Sequence, residues 1–195
     1  MALLRAFAYA SANRTLKHQS TRWLVASAFL LLSGLKLSAQ TPTSPEYQVK
    51  AVFLFNFAQF VDWPPKAFPE AQTPLVIGVL GEDPFGTYLD ETVRGEKVNN
   101  RPLVVQRYRR TGDIKTCHVL FINRSETDRL EQILASLRGR NILTVGDTDD
   151  FAQRGGMIQL VTEKNKIRMR INLEVVKAAN LTISSKLLRV AETKP

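Results

Sequence analysis

The chain has 195 residues, 44% of them hydrophobic and 23% charged, with 10 Gly, 9 Pro and a single Cys. These values suit one globular domain with an extension and exclude disorder throughout. Of the net charge of +9, Arg5, Arg14, Lys17, Arg22 and Lys36 place five in residues 1–39, which hold no acid. The modest excess left over does not call for a nucleic-acid partner, and supports only a weak preference for acidic partners or an anionic membrane surface.

The first segment is basic, then apolar from Trp23 to Leu35, then small at Ser38-Ala39, then polar from Gln40 to Pro45. That order is the order of a secretory signal peptide. The apolar run has 13 residues, short of the roughly 20 that cross a bilayer. Export is therefore expected, with cleavage after Ala39, residues 40–45 as a polar linker and 46–195 as the working domain. The alternative is a retained N-terminal anchor.

A helix is expected over 46–61. Ser44 stands ready to cap it, Pro45 fits its first turn, Glu46 suits its positive end, and Pro64-Pro65 end it. Val49, Val52, Phe53, Leu54, Phe55, Phe57, Phe60 and Val61 cover most of its circumference. A helix apolar all round is buried on several sides or meets something else.

Leu75–Leu80 is a continuous apolar run, the pattern of a strand covered on both faces. A capped helix is expected from Asp83-Pro84-Phe85 to about Val93. Strands follow over 101–108 and 118–122. Ser125 caps an amphipathic helix to Arg138, with Leu130, Ile133, Leu134 and Leu137 on one face. A fourth strand spans 141–146, then a short turn or helix 149–154. Residues 157–162 and 166–171 read as an antiparallel hairpin. Asn172 caps a helix to about Leu181, and 184–191 adds a helical turn or two. The predicted fold is a single three-layer α/β domain: a mostly parallel sheet flanked by helices, with an antiparallel hairpin at one edge.

Chemistry is scarce. Cys117 and His118 are neighbours, but adjacent strand residues point to opposite faces, so a nucleophile–base pair is not expected. Outside the leader there is one Cys and one His, too few ligands for zinc. Gly78, Gly81 and Gly86 follow a strand, yet their spacing is not that of a dinucleotide loop, and Glu82 and Asp83 would repel phosphate. Asp147, Asp149 and Asp150 read as a solvated turn rather than a cation site. No catalytic residue, metal or cofactor is assigned. Two surface candidates remain. Phe53, Phe57, Phe60 and Trp63 form an aromatic stripe that packs in the core or contacts a protein partner. Lys164, Lys166, Arg168 and Arg170 alternate with apolar residues, as a solvated edge or as a contact for an anionic partner.

Seven segments in order carry a family likeness: Val49–Pro64, Ile77–Gly86, Cys117–Ile122, Leu143–Asp147, Phe151–Ile158, Ile171–Leu173 and Leu181–Arg189. Together they resemble the YfiR-like family. The resemblance implies a periplasmic protein, dimeric and without catalytic residues, that represses an inner-membrane diguanylate cyclase by binding its periplasmic sensor part. Cyclic di-GMP and biofilm formation then stay low until an envelope signal releases it, and an outer-membrane lipoprotein can sequester it. Relatives often have a cysteine where Gly78 stands, paired with the equivalent of Cys117; here that partner is missing. An envelope module that binds a small ligand at the carboxyl ends of the parallel strands, near Gly81–Gly86 and Gly146–Asp149, is the alternative.

Overall fold

The computed structural model describes residues 43–164 and 166–193. The expected leader, 1–39, and the first part of the linker lie outside them. Helix α1 (Pro45–Phe60) runs into a two-residue strand, β1 (Val61–Asp62). Then come β2 (Leu75–Leu80), α2 (Thr87–Val93), β3 (Lys97–Val98), β4 (Arg101–Tyr108) and β5 (Val119–Ile122). α3 (Leu130–Ser136), β6 (Leu143–Gly146), β7 (Ile158–Glu163) and β8 (Lys166–Ile171) follow. The chain closes with α4 (Leu173–Ala178), β9 (Thr182–Ile183), α5 (Ser185–Leu188) and β10 (Glu192–Thr193).

The main sheet has the order β10-β8-β7-β6-β5-β2-β4-β3. β4, β2, β5, β6 and β7 are mutually parallel, β8 returns antiparallel on β7, and β3 is antiparallel on β4. The α/β architecture is therefore the expected one. Strand alternation divides the core in two. Leu75, Ile77 and Val79 of β2 join Val119, Phe121, Leu143, Val145, Ile158, Leu160, Met169 and Ile171 under α1 and α2. Leu80, Leu120 and Ile122 point the other way, against Leu130, Ile133 and Leu137 of the α3 segment.

Several expectations need correction. α2 starts at Thr87, not at Asp83, because Asp83 spends its Oδ1 accepting from Phe85 N (2.8 Å) in a turn, and Gly86 supplies the left-handed φ of 54° before the helix. Before α3 the backbone is a 3-10 turn, Arg124–Arg129, and its cap is Asn123, whose side chain accepts from Ser125 N (2.8 Å); Ser125 is not the cap. α4 stops at Ala178 instead of Leu181, since Asn180 takes a left-handed φ of 56° and the chain turns into β9. β9 pairs with β1, Val61 opposite Ile183 and Asp62 opposite Thr182, clamping the end of α1. The antiparallel β7–β8 hairpin lies at one side of the sheet as expected, and the two-residue β10 adds in parallel outside β8.

Candidate functional site

α1 buries Lys50, Ala51, Leu54, Phe57 and Ala58. These lie at i, i+1, i+4, i+7 and i+8, one face of a helix. The opposite face is more open among the described residues. Val49 is 47% and Val52 42% exposed, while Phe53, Phe55 and Phe60 are half-buried. Val49, Val52, Phe53, Asn56 and Phe60 follow the i, i+3, i+4, i+7, i+11 spacing of a single surface stripe. The aromatic candidates therefore separate. Phe53 and Phe60 lie on the open stripe. Phe57 is completely buried against the sheet, and its ring meets that of Phe53 at 6.1 Å between centroids. Trp63, beyond β1, is half-buried, and its ring and that of His118 meet edge to face at 6.1 Å between centroids. Introducing Asp at Phe57 with folding intact, an expectation that goes with a surface role, does not fit this placement.

The cationic candidates lie on the other side of the sheet. Met169 and Ile171 of β8 point into the core beneath α1. Alternation then sends Lys166, Arg168 and Arg170 to the opposite face. There Glu163 of β7 takes Arg170 at 2.8 Å and Arg168 at 3.5 Å. Lys164 is not in the strand but in the turn, with a φ of 48°. The two surfaces singled out in the sequence are not brought together.

One cluster has no counterpart in the sequence reading. Lys50, on the buried face of α1, has no exposed surface. Its ammonium lies 2.5 Å from Asp147 Oδ2 and 2.6 Å from Glu46 Oε1. Tyr47 also donates to Asp147 Oδ2 (2.9 Å), and Arg124 reaches it at 3.4 Å. Asp147 is thus no solvated turn residue: its side chain is 1% exposed and ties the first two turns of α1 to the carboxyl end of β6. The pairing shifts its neighbours. Glu46 is held below its ordinary value chiefly by the Lys50 hydrogen bond. Burial and the nearby carboxylate push Tyr47 up to about 12. A signal existed in Lys50, which shares the i, i+4, i+7 stripe of Leu54 and Phe57. A cation there must either leave the core or find an acid in it.

The carboxyl ends of the parallel strands are partly filled. At Gly81, whose φ is +91°, a Cβ would lie 2.6 Å from Ser125 Oγ, so the loop after β5 closes the crevice beside β2. Next to it is an open depression of about 450 Å³ lined by Arg124, Thr127, Asp147, Thr148, Asp150 and Arg154 among others. Cys117 is free and buried, and burial pushes its thiol up to about 12, an inert state. A Cβ at Gly78 would stand 2.8 Å from its Sγ, so a cysteine there would be within bridging reach, with Tyr108 having to yield. Among the described residues there is no cluster of metal-ligating side chains, and no helix is long and apolar enough to cross a membrane.

Residues 47–192 match the model of a family described as YfiR/HmsC-like. No curated protein matches the chain. Among solved structures, a conserved domain protein from Vibrio cholerae O1 biovar El Tor is 12% identical, over 78% of this chain and 60% of that one, with a TM-score of 0.49. The ABC domain in complex with L-Trp from Streptococcus pneumonia is also 12% identical, over 66% of this chain and 57% of that one, with a TM-score of 0.46. The chain thus spans 60% or less of the length of these two solved chains, and neither likeness bears on function.

Proposed function

We propose, from the premise that the chain belongs to the YfiR/HmsC-like family, that it binds and represses an inner-membrane diguanylate cyclase through the outward face of α1. The family is one of periplasmic regulators associated with diguanylate cyclase signalling. In this reading residues 1–39 are a signal peptide, 46–195 the periplasmic domain, and the target is the cyclase's periplasmic sensor part. Capture lowers cyclic di-GMP and biofilm formation. Homodimerisation and sequestration by an outer-membrane lipoprotein belong to the same proposal.

The observation that carries the reading is the stripe on which Val49 and Val52 are exposed and Phe53 and Phe60 half-buried. Contiguous apolar surface is costly to leave in water and marks interaction sites. Aromatic residues at such sites tend to carry the binding energy. Trp63 is kept as a contact at the carboxyl end of this surface. The cations Lys164, Lys166, Arg168 and Arg170 would serve a separate, anionic contact on the far face. The absence of an assigned chemistry fits regulation by binding, where a differential contact shifts the partner between states.

The test is co-purification of the exported protein with each host diguanylate cyclase that has a periplasmic sensor part. Val49→Asp and Val52→Asp, at the exposed positions of the helix, should lose capture while keeping the wild-type melting transition. Unchanged capture by both variants would sink the docking role of α1. The 450 Å³ depression beside Asp147 favours, as a second reading, a small-ligand module. Ligand-induced stabilisation without any cyclase capture would select it.

A further inference from the structure

The segment from Trp63 to Pro74 contains four prolines, Pro64, Pro65, Pro69 and Pro74. Proline has no N–H to donate, so such a stretch cannot join a ladder. Its backbone hydrogen bonds close on itself: Ala67 N to Pro64 O, Phe68 N to Pro65 O and Thr73 N to Glu70 O. Side chains of the sheet hold it in place. Arg101 of β4 donates through Nη1 to the carbonyls of Glu70, Ala71 and Thr73, each at 2.9 Å, and lies over the Phe68 ring at 4.0 Å. His118, just before β5, stacks on the same ring at 4.5 Å and meets Ala67 O at 3.1 Å through Nε2.

The other imidazole nitrogen settles the tautomer. His118 Nδ1 accepts from Val76 N at 3.0 Å, so it carries no proton, and Nε2–H donates to Ala67 O. Protonation would place an Nδ1–H against the Val76 N–H and a second cation near Arg101. Burial is the larger reason, and Arg101 a lesser one, that the latched imidazole sits below its ordinary value of 6.5. The other titratable neighbours are Cys117 beside it in the chain, Lys66 and Glu70 of the segment and Asp62 of β1. Of these, Lys66, Glu70 and Asp62 are exposed, and Cys117 is buried.

The geometry points to residues 63–74 as an acid-released strap, latched by His118, whose opening displaces Trp63 from the carboxyl end of the α1 docking surface. The link to docking rests on the function proposed above; the strap itself does not. The sign follows from linkage. A group charged less readily when latched stabilises the latch above its unlatched value and loses that contribution as pH falls through the latched one. The ratio of open to latched strap therefore rises up to about ten-fold for each pH unit below about 6.5, until the latched form itself takes the proton.

The chain has two tryptophans, Trp23 and Trp63, so in full-length Trp23→Phe protein fluorescence reports Trp63 alone. Acrylamide quenching should rise at least two-fold between pH 7 and pH 4.5, and should stay flat in His118→Asn, which keeps an acceptor toward Val76 N–H but does not titrate. An equal acid response in His118→Asn, or none in the parent, overturns the strap. Should His118→Asn not fold, nitrogen NMR of His118 in the parent replaces it: protonation must span the pH range in which Trp63 becomes quenchable, and separate ranges overturn the latch. Capture of the cyclase sensor part is then compared at pH 7 and pH 5. Weaker capture at pH 5 supports the coupling, and equal capture with an open strap overturns it. Strap opening with no capture at either pH sinks the docking reading and leaves the strap standing.

Discussion

Helix α1 and the β7–β8 hairpin both break the ordinary pattern of their element. α1 is apolar around most of its circumference, and β8 carries a cation at every second residue. The fold treats them differently. In the hairpin, Glu163 pairs with both Arg168 and Arg170 within the same pair of strands. In α1 one face is buried against the sheet, Phe53, Phe55 and Phe60 are half-buried, and Val49 and Val52 are left in water. Local pairing satisfies charge at little cost. Exposed apolar area has no such local remedy, which is why α1, and not the hairpin, is the stronger candidate for a partner.

The comparison breaks most directly within α1 itself. Phe57 is completely buried. Phe57→Ala should cost about 3–5 kcal/mol, as a large-to-small change in a packed core, and Phe57→Asp should leave no folded protein. Val52→Asp, on the open face, should shift stability by less than about 0.5 kcal/mol. Urea denaturation of the three variants measures this. Equal losses at the two positions would erase the distinction between the faces of the helix.

Next in size is the buried pair that anchors α1. Removing Asp147 leaves the Lys50 ammonium buried without its closest acid, a change expected to cost about 3–5 kcal/mol. Lys50→Met together with Asp147→Leu should recover most of that, since a buried pair replaced by apolar groups of similar size is often neutral. A double variant no more stable than Asp147→Ala would mean that the pair stabilises the fold beyond its own compensation. Glu46 adds an acid-dependent part. Its carboxyl is held low by Lys50, so its contribution is present above its ordinary value of 4.5 and is lost as pH falls below it. Glu46→Gln should flatten the acid limb of a stability–pH curve below pH 4.5. An unchanged limb would remove Glu46 from the cluster.

The central strands were readable because Leu75–Leu80 and Val119–Ile122 are unbroken apolar runs, and a strand buried on both faces needs no partner to be recognised; their order in the sheet was not. The sidedness of α1 was not readable, for the same physical reason that made the helix conspicuous. Apolar residues all round carry no period, so Phe57 and Phe60 look alike until the sheet is in place. Lys50 and Asp147 are 97 positions apart, and nothing local to either names the other. The pairings of β1 with β9 and of β10 with β8 involve two residues each, too few for alternation to show. The cationic stripe was legible as a stripe, but its face depended on which side α1 covers.

The smallest expected effect concerns that stripe. Arg168 lies 49% exposed in its side chain and 3.5 Å from Glu163. Exposed pairs of this kind contribute about 0–1 kcal/mol, and salt screens them. Arg168→Ala should therefore change stability by no more than about 0.5 kcal/mol, and less in 0.5 M sodium chloride than in 0.05 M. It should leave cyclase capture unchanged, because β8 turns this side chain away from the face that α1 covers. A fall in capture by Arg168→Ala as large as that from Val52→Asp would join the two surfaces functionally across the sheet. The partner would then have to wrap the β8–β10 edge, and its contact could no longer be described by α1 alone.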